Sequence, residues 1–438
     1  MSETPPRSLN RIRTQDFRPG ETVLTKAELR RTTFHPPTRW IKHALELLRL
    51  PTSSFHEQNV LLWVYRFARN RGLDITIDSA GNLIVDYTPR GVAVTARKRL
   101  AFAAHLDHTG FWAVEMRGAR TLEAHWMGRF PEELIVGGEV IFWTDGKPLR
   151  EVEPGLLPDA QQGLRVGGRK VSGKVTEILG FNEEGDVSRV LVEVEGQVEP
   201  GSIGMWALPE AEHLGGKFFA RAIDDVAGAA AMVCLLDELV RDKSEVPVTC
   251  LFTRAEEGGF FGAIHYCQEH YGPDAVAPGP DLIISIECSK ALPNAPQGHG
   301  PIVRVGDKHV MFEPELTVWA ARVARLLESR DNTFRFQRKL MDGGTCESSV
   351  FQAYMGNAGA LCVALGNYHN HNPDAGKIDL ENIDISDWGN LIRLMRAMAE
   401  VRDTSDSIFG EFKAWCQRWS DKHRHLYTEP AGVAEVAP

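Results

Sequence analysis

The sequence of 438 residues lacks a long apolar run. A membrane-spanning helix needs about 20 consecutive apolar residues, and no uninterrupted apolar stretch here approaches that length. We therefore predict no membrane-spanning segment and no membrane partner. The first residues, MSETPPRSLNRIRTQDFRPG, also lack the apolar core of a secretory signal, which predicts a cytoplasmic protein.

An excess of positive charge is absent as well. The chain has 49 basic and 59 acidic residues, so its formal net charge is −10. Proteins that bind nucleic acid usually carry a basic patch or stripe. We therefore expect no nucleic-acid partner.

The sequence contains no CxxC pair. Its seven cysteines are an odd number, and most of them lie inside apolar segments. This distribution favours buried free thiols over disulfide bonds.

Short apolar runs alternate with segments that have helical spacing. The runs LAFAAHLD, VTCLFTRAEE, LIISIEC and ALCVALGNYH suit strands that are buried on both faces. Between them, VAGAAAMVCLLDELVRD and LTVWAARVARLLESR repeat their apolar residues every three to four positions. This alternation predicts βαβ crossovers and an α/β fold whose mostly parallel sheet is flanked by helices.

One region departs from this alternation and predicts an inserted small all-β domain. Its short β-patterned pieces, such as GGEVIFW and SRVLVEVEG, are separated by Gly, Pro and charged turns. The predicted organisation is an N-terminal arm over 1–38, a catalytic α/β domain over 39–112 and 217–402, the β domain over 113–216, and a C-terminal tail over 403–438.

Imidazole and carboxylate side chains follow almost every predicted strand of the parallel sheet. In open α/β sheets, ligands bind outside the carboxyl ends of the strands. The ends of these strands, together with the start of the helix in ARAIDDVAG, supply His105, Asp107, Asp224, Glu256, Glu257, Glu287 and His371.

Such a set suits a pair of zinc-type ions that share a carboxylate. Two dications carry four positive charges. The carboxylates of Asp224, Glu257 and Glu287, with one bridging hydroxide, would neutralise them. We therefore predict two divalent metal ions, zinc first and cobalt or manganese as alternatives.

The ordered motifs HLDHTG, RAIDDVAG, TRAEEGGFFGA, IEC and YHNHNP resemble those of the tetrahedral (TET), or glutamyl, aminopeptidases. The likeness covers roughly residues 40–400 and implies the zinc exopeptidase fold. It also implies a peptide substrate and a homo-oligomer that forms through the β insertion.

The resemblance assigns roles to the first two motifs. It implies that His105 is the first metal ligand and that Asp107 supports it. It also implies a bridging aspartate, and the four-residue step to Gly228 selects Asp224 over Asp225.

The remaining motifs supply the general base and three further ligands. The resemblance implies that Glu256 is the base and Glu257 a ligand. Glu287 stands where the family usually has Asp, and His371 corresponds to the final histidine. His371 is preferred over His369 because it directly precedes an Asn-Pro pair.

Motif spacing separates this family from its aminoacylase and carboxypeptidase relatives. The gap from His105 to Asp224 is 119 residues and contains the β segment, whereas the gap from Glu287 to His371 is 84, too short for the lid domain of those relatives. This spacing favours an aminopeptidase.

Two departures keep other functions open. Glu287 stands where the family usually has Asp, and Cys346 stands where the family shows a GGTDA-like run. Because of these differences, a deacylase or carboxypeptidase with the same metals is the nearest alternative. A metal-binding protein without turnover is a third possibility. The presence of Glu256 argues against it, because such a protein needs no base.

Overall fold

A computed structural model describes residues 32–89, 99–273, 275 and 279–425. The described part includes most of the chain between the predicted arm and tail. The prediction for residues 1–31 of the arm lies outside the described residues, as does that for residues 426–438 of the tail.

Helices and strands alternate over much of this part. The helices are α1 (Thr38–Leu48), α2 (Gln58–Asn70), α3 (Glu132–Ile135), α4 (Leu149–Val152), α5 (Val226–Arg241), α6 (Phe261–Tyr271), α7 (Pro314–Arg330), α8 (Glu347–Met355), α9 (Ile385–Glu400) and α10 (Ile408–His423). The strands up to the end of the insertion are β1 (Asp74–Ile77), β2 (Leu83–Tyr87), β3 (Leu100–His105), β4 (Gly110–Met116), β5 (Thr121–Met127), β6 (Glu139–Thr144), β7 (Lys147–Pro148), β8 (Arg165–Val166), β9 (Arg169–Phe181), β10 (Val187–Val194), β11 (Ile203–Trp206) and β12 (Glu212–Leu214). The remaining strands are β13 (Lys217–Ala220), β14 (Val248–Thr253), β15 (Leu282–Lys290), β16 (Ile302–Gly306), β17 (Gln337–Leu340), β18 (Ala358–Gly366), β19 (His371–Asn372), β20 (Lys377–Ile378) and β21 (Glu381–Asp384).

The large sheet has a parallel centre and antiparallel flanks. Its order is β1-β2-β14-β3-β15-β18-β21-β13-β12, and β16 pairs with β17 and β18 beside this path. The central pairs β14–β3, β3–β15 and β15–β18 are parallel. The predicted α/β fold with a largely parallel sheet is therefore confirmed for the centre of the sheet.

Helices cover both faces of this centre, which explains the apolar runs. In β3, Leu100, Phe102 and Ala104 join the core under α1, α5 and α9. Ala101 and Ala103 point the other way, into the core under α6 and α8. With both faces buried, the end of each strand is where polar side chains can lie.

The insertion forms a separate antiparallel barrel. Strands β10-β5-β4-β11-β6-β9 close on one another around an apolar core. These strands lie between Gly110 and Trp206. The following strand β12, which falls in the predicted range 113–216, pairs with β13 in the large sheet instead.

Two further expectations concern single elements. Among the described helices, none combines the length and the hydropathy of a membrane-crossing segment. The seven cysteines are free thiols, of which six are buried and Cys416 in α10 is exposed.

Candidate metal centre

The candidate ligands converge at the carboxyl edge of the parallel strands. His105 is the last residue of β3, and Glu287 lies in β15. Across these neighbouring strands Ala103 pairs with Ser285. His105 and Glu287 each lie two residues beyond that pair, so the sheet itself sets them side by side.

The first group of candidate ligands consists of His105, Glu256 and Glu287. The Nε2 atom of His105 lies 3.9 Å from Glu256 Oε2 and 4.0 Å from Glu287 Oε2. All three side chains are buried. One imidazole with two carboxylates at this spacing is a donor set that suits zinc.

The second group consists of Asp224, Glu257 and His369. His369 Nε2 lies 2.9 Å from Glu257 Oε1 and 4.0 Å from Asp224 Oδ2. This group has the same chemistry as the first.

Asp224 joins the two groups. Its Oδ1 atom lies 3.7 Å from His105 Nε2, while its Oδ2 atom faces His369. One carboxylate oxygen therefore points towards each group, as expected of a bridging ligand. The peptide bond between Asp224 and Asp225 is cis.

Two buried oxygens support the fit to cations. Asp224 Oδ1 and Glu287 Oε1 have no hydrogen-bond partner among the described residues. A buried carboxylate oxygen without a partner is costly unless a cation compensates it. The donor set and its unpaired atoms thus fit two divalent ions.

The final histidine differs from the sequence-based choice. The structure brings His369 into the second group, whereas His371 lies outside both groups, half-buried beside the ring of Phe130 at a centroid distance of 6.2 Å. The reason lies in the backbone, because Asn367, His369 and Asn370 have φ values of 55°, 55° and 63°. This left-handed turn directs His369 inward. The Asn-Pro pair, on which the choice of His371 rested, does not indicate such a turn.

Asp107 organises the first group and the turn that follows β14. Its carboxylate accepts hydrogen bonds from the backbone amides of Glu256 and Glu257, both at 3.0 Å, and from Ser54 Oγ at 2.6 Å. Its Oδ1 atom also lies 3.3 Å from His105 Nδ1. A carboxylate behind the ring fixes the orientation of a metal-binding histidine.

A buried ion pair that the sequence did not reveal supports the same turn. Glu57 and Arg254 form it, with Arg254 Nη2 2.7 Å from Glu57 Oε2. Glu57 also accepts the backbone amide of Ala255 at 3.0 Å. Ala255 has a φ of 52°, a strained value for a residue with a side chain. These bonds hold the strained residue immediately before Glu256.

Burial and close charges shift the pKa values across the first group. Burial raises the pKa of Glu256 well above its usual range and that of Glu287 to about 8. Burial alone would lower the pKa of His105, but Glu256, Asp107 and Asp224 outweigh it and raise that pKa well above the usual range. Burial would raise the pKa of Asp107, yet His105 holds it below the ordinary value.

In the second group, too, burial and neighbouring charges shift the pKa values in opposite directions. Burial would lower the pKa of His369, but Glu257 raises it to about 9. In return, His369 outweighs burial and lowers the pKa of Glu257. This cluster of buried carboxylates favours positive charge nearby. Bound cations would replace the protons that these side chains hold in the metal-free protein.

Comparison with known proteins places this chain in a family. The sequence model of the M42 glutamyl aminopeptidases matches residues 81–392, more than half of the chain. No curated protein matches.

Solved structures share the fold at low identity. The TET1 peptidase of Pyrococcus horikoshii, which can assemble into a tetrahedron or a large octahedral shell, is 20% identical with a TM-score of 0.62, covering 82% of this chain and 99% of its own. A TET aminopeptidase from a marine sediment Thaumarchaeota archaeon is 16% identical with a TM-score of 0.65, covering 85% and 99%. An aminopeptidase from Desulfurococcus kamchatkensis is 20% identical with a TM-score of 0.63, covering 83% and 95%. The resemblance seen in the sequence motifs is confirmed, and the chain belongs to the M42 glutamyl aminopeptidase family.

Proposed function

We propose that this chain is a metal-dependent aminopeptidase that removes N-terminal residues from peptides with the help of two divalent ions. The observation that carries the proposal is the pair of buried ligand groups joined by the two oxygens of Asp224. His105, Glu287 and one oxygen of Asp224 would hold one ion. Glu257, His369 and the other oxygen would hold the second.

When bound, zinc or a similar ion polarises the scissile carbonyl and lowers the pKa of water. Glu256 is the general base that this chain supplies. Its carboxylate accepts the proton of the attacking water and then gives that proton to the leaving amine. Burial raises the pKa of Glu256 in the metal-free protein. Bound cations would lower it, so that the carboxylate would be ionised and able to accept a proton.

The turn after β14 places Glu256 and Glu257 in different surroundings, which suits them to different roles. Glu257 lies against His369 at 2.9 Å, whereas Glu256 lies 3.9 Å from the nearest histidine nitrogen. Asp107 holds the amides of both glutamates. This anchoring would keep Glu256 beside bound ions without requiring it as a ligand.

The arginines near the site favour a substrate with a free amino group. A carboxypeptidase or deacylase would need a cation for the substrate carboxylate. Arg254 is buried and paired with Glu57. Arg304, whose charge partly offsets the rise that burial causes in the pKa of Glu287, is also buried and donates a hydrogen bond to Ser289 Oγ at 3.1 Å. Neither arginine is presented to a substrate.

A substrate panel tests this choice. We expect hydrolysis of aminoacyl anilides and short peptides with Zn²⁺, Co²⁺ or Mn²⁺, and no hydrolysis of N-acyl amino acids or of peptides with a blocked N-terminus. Turnover of N-acyl amino acids alone would establish the deacylase alternative. No turnover of either set by protein with both ions bound would favour the metal-binding protein.

The Glu256→Gln variant tests the mechanism. It should keep both ions and lose about 100-fold to 10,000-fold of kcat, the usual contribution of a general base. Metal content by mass spectrometry and kcat on the preferred anilide provide the two readouts. Retained activity would reject Glu256 as the base, and loss of an ion would make it a ligand.

We also propose that the chain forms a homo-oligomer through its barrel, because a structural neighbour assembles into closed shells. Light scattering of the purified protein tests the assembly. A monomer at micromolar concentration would reject it.

A further inference from the structure

Glu381 is a fully buried carboxylate that binds both sides of the second ligand group. Its Oε1 atom accepts the backbone amide of His369 at 2.8 Å. Its Oε2 atom accepts the amides of Ile223 at 2.7 Å and Asp224 at 3.1 Å. One side chain therefore holds the backbone of two segments that lie far apart in sequence.

The sheet places Glu381 at this junction. Glu381 is the first residue of β21 and pairs with Ala220 at the end of β13, from which the chain continues to Asp224. On its other side β21 pairs with the last residues of β18, from which the chain continues to His369. The two loops that carry ligands thus leave the strands on either side of Glu381.

The loop around His369 needs such support. Left-handed φ values at residues with side chains cost free energy and persist only where neighbouring contacts enforce them. Three of the four residues Asn367–Asn370 have such values. The hydrogen bond from the His369 amide to a buried carboxylate is charge-assisted and therefore a strong contact of the kind that can enforce such a turn.

His108 completes the contacts of the bridging residue. Its Nδ1 atom lies 2.7 Å from the carbonyl oxygen of Asp224, and its Nε2 atom lies 3.8 Å from Glu381 Oε2. The amide and the carbonyl of Asp224 are therefore both held from buried side chains.

We propose that Glu381 is a positioning residue that sets the distance between Asp224 and His369, and thereby the affinity for the second metal ion. The inference rests on the proposed dinuclear function. Glu381 is not a member of either ligand group. It acts through the backbone of two of the residues that would hold it.

The Glu381→Gln variant tests this role by metal titration of the metal-free protein. The amide has one acceptor oxygen where the carboxylate has two, so the NH2 group of the glutamine must face either the amide of His369 or the amides of Ile223 and Asp224. We expect Zn²⁺ and Co²⁺ affinity at the second site to fall about 10-fold to 100-fold, as for other residues that support metal ligands. The first ion should bind as in the wild type.

Asp387→Asn provides a matched control. Asp387 is also a buried carboxylate that accepts backbone amides, from Gly298 at 2.7 Å and Gly300 at 2.6 Å. This control should lower the unfolding temperature but bind both ions normally. If Glu381→Gln lowered the unfolding temperature and left both affinities at wild-type values, the positioning role would be overturned.

Hydrogen exchange of the metal-free wild type gives a second test that needs no variant. The His369 amide should exchange slowly, because it is bonded to Glu381. Exchange as fast as that of an unstructured peptide would overturn the inference. Wild-type protein that bound fewer than two ions would instead overturn the dinuclear function and this inference with it.

Discussion

The two groups of candidate ligands stand on different kinds of backbone. His105 and Glu287 lie in neighbouring parallel strands at the same offset from a paired residue. Asp224 precedes α5, and His369 lies in a short left-handed turn after β18. The ladder of the sheet fixes His105 and Glu287, the strand-mounted group, whereas buried side chains such as Glu381 must fix Asp224, Glu257 and His369, the loop-mounted group.

Among substitutions of the ligands that would hold the two ions, the largest effect is expected at His369 in the loop-mounted group. His369→Ala removes the imidazole that faces Glu257 and Asp224. We expect the second ion to be lost and kcat/KM to fall about 100-fold to 1,000-fold, since a bound ion supplies several kcal/mol to the transition state. Metal content and anilide hydrolysis measure both losses.

His371→Ala is the matched control for this prediction. It removes the same ring two residues away, beside Phe130. Its metal content should equal that of the wild type. If His371→Ala lost the second ion and His369→Ala retained it, the observed turn would not be the one that operates in the enzyme.

The choice between these histidines marks the limit of sequence reasoning. Apolar runs that end in polar residues predicted where His105 and Glu287 lie, because a strand buried on both faces exposes its end alone. Spacing cannot choose between His369 and His371, since the answer depends on the φ values of the turn.

Supporting carboxylates were predictable only where they adjoin a ligand. Asp107 follows His105 by two residues and was expected to support it. Glu381 lies at the start of a four-residue strand, and its role arises from pairing with β13 and β18. Glu57 likewise acts on a turn about 200 residues away. Such contacts come from the topology, which local pattern does not specify.

The Asp107→Asn variant should have the next largest effect. The neutral amide must turn an N–H group towards one of the donors that Asp107 now accepts from, namely Ser54 and the amides of Glu256 and Glu257. We expect kcat/KM to fall about 10-fold to 100-fold. Affinity for the first ion should change less, because β3 and β15 fix His105 and Glu287. Loss of the first ion in a titration would show that this group also depends on a side chain.

A smaller effect is expected from Glu287→Asp, which moves one carboxylate back by one methylene on an otherwise fixed strand. Both ions should remain bound, and kcat/KM should stay within about 10-fold of the wild type, a change of about 1.4 kcal/mol in the barrier. Glu257→Asp is the control in the turn, where the same shortening should cost more. An equal loss in both variants would remove the distinction between strand and loop.

Substitution of His56 should have the smallest effect on catalysis, and its expected effect is on stability. His56 lies in the same loop as Ser54, which donates a hydrogen bond to Asp107, and it connects this loop to the barrel. His56 stacks on Trp112 of β4 at a centroid distance of 5.3 Å. Burial lowers the pKa of His56 from 6.5 to about 4. Because the folded-state pKa lies below the unfolded one, this histidine contributes stability above pH 6.5 that is lost as the pH falls towards 4.

The His56→Gln variant should therefore have a shallower loss of stability between these pH values. The difference in the free energy of unfolding from the wild type would change by at most about 3 kcal/mol across this window. Urea unfolding of the metal-free proteins at several pH values measures it without interference from metal release. His125→Gln removes the other histidine that stacks on Trp112 and controls for the lost ring contact. Parallel pH profiles for wild type and His56→Gln would mean that His56 accepts a proton in the folded protein as readily as in the unfolded chain.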